Sequence, residues 1–169
     1  MKNIISILII TLTILVVFSE KIFSQIDIEA SNTNSVLYLG EGNNQPLVVG
    51  LGGSEGGNAW TSKRWENIRN KFIEKGYAFL AVGYFSGEEK IEGLPDALNK
   101  ISIEDIHQAI QIAANHPKIN SEKIALLGGS TGAELALVLG SYYSDIKCVV
   151  GIVPSHVVFP GHTMDFSTS

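Results

Sequence analysis

The sequence predicts an α/β fold, a mostly parallel sheet with helices on both faces. Three observations point to it. Apolar runs of strand length at 46–51, 77–82, 123–127 and 147–153 are continuous rather than alternating, as strands buried on both faces are. Segments with helical spacing lie between them, so strand and helix alternate along the chain. Between the third run and the helix after it stands Gly128-Gly129-Ser130-Thr131-Gly132, a serine among glycines on a strand-to-helix turn.

From the amino end, the first segment reads as a targeting signal. Lys2 supplies a positive start, and residues 4–18 are apolar except for Ser6, Thr11 and Thr13. This run is shorter than the roughly 20 residues that span a bilayer. Residues 1–24 are therefore expected to be a cleaved signal peptide, with an uncleaved membrane anchor as the alternative. Ser24, two residues after Ile22, is the expected cleavage position, and no cysteine lies nearby to carry a lipid. The expected location is secreted or periplasmic. Residues 25–45 read as a polar leader with a short edge strand at 36–39, residues 46–160 as the domain, and 161–169 as a tail. About 145 residues would remain, enough for one domain and too few for two.

Within the domain, Pro46 opens the first core strand, where a missing N–H is tolerated. Residues 62–75 read as a helix from the spacing of Trp65, Ile68 and Phe72, closed by Gly76. A strand at 77–82 leads into a loop holding Gly87, Gly93 and Pro95. Residues 102–115 form the clearest helix. Ser102 caps it with Asp105 three positions on, and Ile103, Ile106, Ile110 and Ala113 share one face. His116-Pro117 stops it, with His116 expected to complement the helix dipole. The strand at 123–127, the helix from Thr131 and the strand at 147–153 complete the alternation. The single Cys148 excludes a disulfide framework or a cysteine metal site and reads as a small buried hydrophobe. A net charge of −5 offers no basic patch for nucleic acid.

The glycine-flanked turn carries the chemistry. Acyl transfer needs a nucleophile, a base, a group orienting that base, and donors for the oxyanion. Ser130 is the candidate nucleophile, exposed on a strained turn at the start of a helix whose N-terminus favours negative charge. One oxyanion donor would be the N–H of Thr131. The second would come from Gly52-Gly53-Ser54-Glu55-Gly56-Gly57, at the Gly53 or Ser54 amide. That loop lacks both the phosphate-loop pattern and G-x-G-x-x-G, which argues against nucleotide binding. Nothing in the sequence calls for a cofactor or a metal. Glu55 and Glu134 are expected on loop and helix surfaces. Trp60 and Trp65 are expected in core or lid packing rather than as a substrate cage.

Residues 46–159 resemble the C-terminal catalytic domain shared by acyl-CoA thioester hydrolases and bile acid-CoA:amino acid N-acyltransferase. The resemblance rests on the glycine loop at 52–57, Gly76-Tyr77-Ala78-Phe79-Leu80-Ala81-Val82-Gly83-Tyr84-Phe85, and Gly93-Leu94-Pro95. It continues through the helix from Ile103, Asn115-His116-Pro117-Lys118-Ile119, Gly129-Ser130-Thr131-Gly132 and Val153-Pro154-Ser155-His156-Val157-Val158-Phe159. It implies an α/β-hydrolase fold and a small acyl thioester or ester as substrate. The acyltransferases carry a cysteine nucleophile and the thioesterases a serine, so Ser130 aligns the chain with the hydrolytic branch. The resemblance does not include the amino-terminal β-sandwich of the animal enzymes.

In this fold the nucleophile is followed along the chain by an acid and then a histidine. Only 39 residues follow Ser130, so the fold is expected to be truncated at its C-terminal side, with the acid and base missing. His156, His162 and Asp165 are the ionisable groups near this end, and the spacing argues against a triad role for any of them. Two alternatives stay open: a dienelactone-hydrolase-like or peptidase-like esterase with the same elbow, and a non-catalytic remnant.

Overall fold

The structure, a computed structural model, describes residues 23–87 and 89–155. Most of the expected signal peptide lies outside the described residues, as do His156, His162, Asp165 and the tail. Six strands form one sheet: β1 (Ser24–Ile28), β2 (Asn34–Leu39), β3 (Gln45–Leu51), β4 (Ala78–Gly83), β5 (Ile119–Gly129) and β6 (Ile146–Ile152). Three helices connect them: α1 (Lys63–Glu74), α2 (Ile103–Ala114) and α3 (Thr131–Tyr142), with a short 3-10 turn at Ala59–Thr61. The strand order is β1-β2-β4-β3-β5-β6. β4, β3, β5 and β6 run parallel, while β2 is antiparallel to both β1 and β4. The fold is that of an α/β hydrolase.

Alternate residues of each central strand face opposite layers. Leu47, Val49, Leu51, Leu80, Val82 and Leu126 pack with Ile106, Ile110 and Ala113 of α2 and with Ala136 and Leu139 of α3. Val48, Phe79, Ala81 and Leu127 pack on the other face with Trp60 and with Ile73 of α1. Gly50 makes this second face possible. A side chain there would begin 2.7 Å from the Phe79 ring and 2.8 Å from Trp60.

Several expectations need correction. The sheet begins at Ser24, and residues 36–39 are not an edge. Leu37 lies opposite Ile26 of β1 on one side and Leu80 of β4 on the other. β1, Ser-Gln-Ile-Asp-Ile, is too polar and short to announce itself as a strand. Pro46 is the second residue of β3, a central strand, and the register against β5 shifts between Pro46 and Leu47. That irregularity accommodates the missing N–H.

On α1, Ile68 is 42 % exposed, and Arg69 is buried instead. The Arg69 guanidinium lies 4.0 Å over the Tyr38 ring and donates to the Trp60 carbonyl, a polar member of an inward face that hydropathy cannot reveal. Cys148 is exposed, because β6 has a single neighbour, β5, among the described residues. The Nδ1 of His116 accepts from the Lys118 N–H. The ring therefore ties the end of α2 to the turn into β5. Ser102 does cap α2, its Oγ accepting from the Asp105 N–H at 3.1 Å.

Candidate active site

Ser130 stands between β5 and α3 with φ 51° and ψ −121°, a region that a residue with a side chain adopts only under strain. Two hydrogen bonds and a close backbone approach hold it there. Its N–H donates to the Ile152 carbonyl of β6 at 2.9 Å, and its carbonyl accepts from Ala133 at 2.9 Å. The glycines two positions away on each side let the backbone close up. A Cβ on Gly128 would stand 2.1 Å from the Gly132 carbonyl oxygen, and one on Gly132 would stand 2.2 Å from the Gly52 carbonyl oxygen. The elbow is thus packed against the loop after β3.

That loop is fixed from two sides. Gly56 and Gly87 both have positive φ, and a Cβ on Gly56 would fall 2.3 Å from the Gly87 Cα. The Gly57 N–H donates to the Phe85 carbonyl at 2.8 Å. On the other side, the Tyr84 hydroxyl donates to the Gly52 carbonyl at 2.6 Å. In a trans peptide the carbonyl and the next N–H point oppositely, so this bond also sets the orientation of the Gly53 N–H. Burial pushes the Tyr84 phenol up to about 12, with Glu55 and Glu134 adding to the effect, so it stays a donor across the physiological range.

The structure brings Ser130, Gly53 and the first amide of α3 together. A Cβ on Gly53 would lie 3.3 Å from both the Ser130 Cβ and the Gly129 carbonyl oxygen. The Thr131 N–H opens α3, where the first amides have no acceptor within the helix. Ser54 is exposed on the turn and does not line the cavity beside Ser130.

The cavity measures about 350 Å³. Its walls include Leu51, Trp60, Trp65 and Ile152, with Glu55 and Arg64 as its charged residues. The two tryptophan rings lie 5.0 Å apart, and Trp60 also packs on Phe79. Trp60 is thus both core and cavity wall, a double role that spacing alone does not show. Glu55 is exposed, yet its carboxylate turns back over the loop. Its Oε2 lies 2.8 Å from the point where a Gly53 Cβ would stand. Sequence reasoning missed this approach, because it depends on how a six-residue loop curls.

No described histidine serves Ser130. His107 Nε2 lies 3.0 Å from Asp145 Oδ2, and its ring stacks at 3.6 Å on Tyr143. Both partners follow the far end of α3, whose twelve residues put them about 18 Å from the elbow at 1.5 Å per residue. His116 sits in the turn before β5. Among the described residues, no three His, Cys, Asp or Glu side chains group as metal ligands.

Comparison with known proteins is consistent with this geometry. Residues 101–166 match the family model described as BAAT / Acyl-CoA thioester hydrolase C terminal. The chain is 36 % identical over 92 residues to acyl-coenzyme A thioesterase 6 of Homo sapiens, covering 53 % of this chain and 21 % of that protein. It is 32 % identical over 77 residues to the peroxisomal succinyl-coenzyme A thioesterase of Mus musculus, covering 46 % and 17 %. The chain therefore spans about a fifth of the length of these curated relatives. Among solved structures, it resembles the alpha/beta hydrolase GrgF from Penicillium sp. sh18, with TM-score 0.62, 17 % identity and coverage of 79 % and 46 %. It also resembles the acetyl xylan esterase from Paenibacillus sp. R4, with TM-score 0.59, 18 % identity and coverage of 81 % and 51 %.

Proposed function

We propose that this chain, whose residues 101–166 match the family model described as BAAT / Acyl-CoA thioester hydrolase C terminal, carries the nucleophile and oxyanion site of a serine acyl hydrolase acting on thioesters or esters. The observation that carries the reading is the strained Ser130 elbow, locked against the Gly52–Gly53 backbone and opening into an apolar cavity. Ser130 Oγ attacks the acyl carbonyl, and its proton passes to a base. The oxyanion is held by the Thr131 N–H and the Gly53 N–H. Collapse of the intermediate expels the thiol or alcohol, and water then releases the acid from the acyl-serine. The base and its acid are assigned to groups outside the described residues.

Export, as a mature chain beginning near residue 25, remains part of the proposal. It rests on Lys2 and the apolar run 4–18 and is tested by amino-terminal sequencing of the protein recovered from its host. A thiol leaving group and an alcohol leaving group share every step through the acyl-enzyme. A substrate panel matched in acyl chain separates them.

In any form of the protein that turns over a thioester, Ser130→Ala is expected to lower thiol release by at least about 10³-fold. Retention of most of the kcat/KM would remove Ser130 from the mechanism.

A further inference from the structure

Two charged residues line the Ser130 cavity, and they differ in placement. Glu55 folds over the Gly53 backbone beside the nucleophile. Arg64, in the first turn of α1, holds its guanidinium 5.5 Å from the centre of the Trp65 ring. It makes no ion pair among the described residues, unlike Arg69, which approaches Glu66. An arginine is weakly hydrated, and an aromatic face restrains it without consuming its hydrogen-bond donors. Its fork remains available for a planar or tetrahedral anion. The carboxylate of Glu55 repels an anion beside Ser130, whereas Arg64 attracts one at the rim. The cavity therefore has an orientation as well as a shape.

We propose that Arg64, resting on Trp65 at the mouth of the cavity, is the specificity-determining residue of this site. It reads a carboxylate or phosphate that the substrate carries away from its reacting carbonyl. The inference rests on the acyl-hydrolase reading of the cavity and adds the charge class of the substrate. The anion has two sources, the far end of the acyl chain or the leaving group.

The chain contains two tryptophans, and both line this cavity, so intrinsic fluorescence reports directly on its occupancy. Three unreactive thioethers with the same six-carbon chain are titrated into the full chain. One is neutral, one ends its acyl side in a carboxylate, and one ends its leaving-group side in a phosphate monoester. At low salt, at least one anionic ligand is expected to bind about fivefold more tightly than the neutral one, the scale of a solvent-exposed charge pair. Which ligand holds the advantage identifies the source of the anion. Raising the ionic strength shrinks that advantage.

Arg64→Gln is expected to abolish the preference, read as the ratio of anionic to neutral affinity within the same variant. Arg64→Lys keeps part of it, since the charge remains but the fork does not. If Arg64→Gln binds the neutral ligand and still prefers the anion by the same factor, Arg64 is not the reader, though the acyl site stands. If no ligand perturbs the tryptophans of the wild-type chain, the acyl-site reading falls and the Arg64 proposal with it.

Discussion

The Ser130 backbone, at φ 51° and ψ −121°, stores strain of about 1–3 kcal/mol that its neighbours must hold in place. Gly128 and Gly132 allow this by removing the two side chains that would wedge the elbow apart. Gly132→Ala puts a methyl 2.2 Å from the Gly52 carbonyl oxygen. Its backbone neighbours cannot rotate away as a side chain would. The substitution is expected to destabilise the fold by about 3 kcal/mol, read as a lowered denaturant midpoint, and to separate the loop after β3 from α3.

Tyr84 acts on the same loop from below. Its phenol is raised from 10.0 to about 12 by burial, so the folded chain resists forming the phenolate. The stabilisation is complete below pH 10 and is lost as pH rises through 12. The Tm is therefore expected to fall between pH 10 and 12 more steeply for the wild type than for Tyr84→Phe, which has no proton to lose. At neutral pH the Phe variant leaves the Gly52 carbonyl unpaired, at about 1–3 kcal/mol. The glycine spacing of the elbow was legible in the sequence because it is local. The Tyr84 bond joins residues 32 positions apart, and no pattern announces it.

Elements were readable to the extent that their signals were local. The α2 helix has a capping serine, an acidic first turn and an apolar face, and the structure reproduces its span within one residue at each end. Ser102→Ala removes the acceptor of the Asp105 N–H and is expected to cost about 1 kcal/mol, a fall in Tm of roughly 4 °C. α1 was harder. Its inward face runs Trp65, Arg69, Phe72 and Ile73, and the arginine interrupts the apolar pattern, so that spacing alone points to the exposed Ile68. Burial of Arg69 depends on Tyr38 and the Trp60 carbonyl, partners from other parts of the chain. β5 runs back to Ile119 through the polar stretch Asn120 to Lys123. Hydropathy stopped at the edge of that polar stretch, although Ile119 and Asn120 lie opposite Gln45 and Pro46.

At the scale of the whole molecule, the parallel centre of the sheet followed from continuous apolar runs, whereas the β1–β2 hairpin did not, being half polar. β6 is bordered only by β5 among the described residues, and Val150 and Ile152 on it are 47 % and 51 % exposed. An open strand edge beside exposed apolar side chains promotes edge-to-edge pairing. Among the described residues no histidine serves Ser130, since His107 and His116 are committed elsewhere. The proposed oxyanion site would by itself supply only about 10³ to 10⁴-fold catalysis over water. Residues 25–169, purified, are expected to release thiol from acyl thioesters faster than their Ser130→Ala counterpart only where a group outside the described residues serves as the base. They are also expected to associate with rising concentration in sedimentation, and Val150→Lys should weaken that association. A chain that stays monomeric would overturn the association, and clear Ser130-dependent turnover would place the base within residues 25–169. Such turnover would make His156 and His162 the first residues to substitute in search of the base.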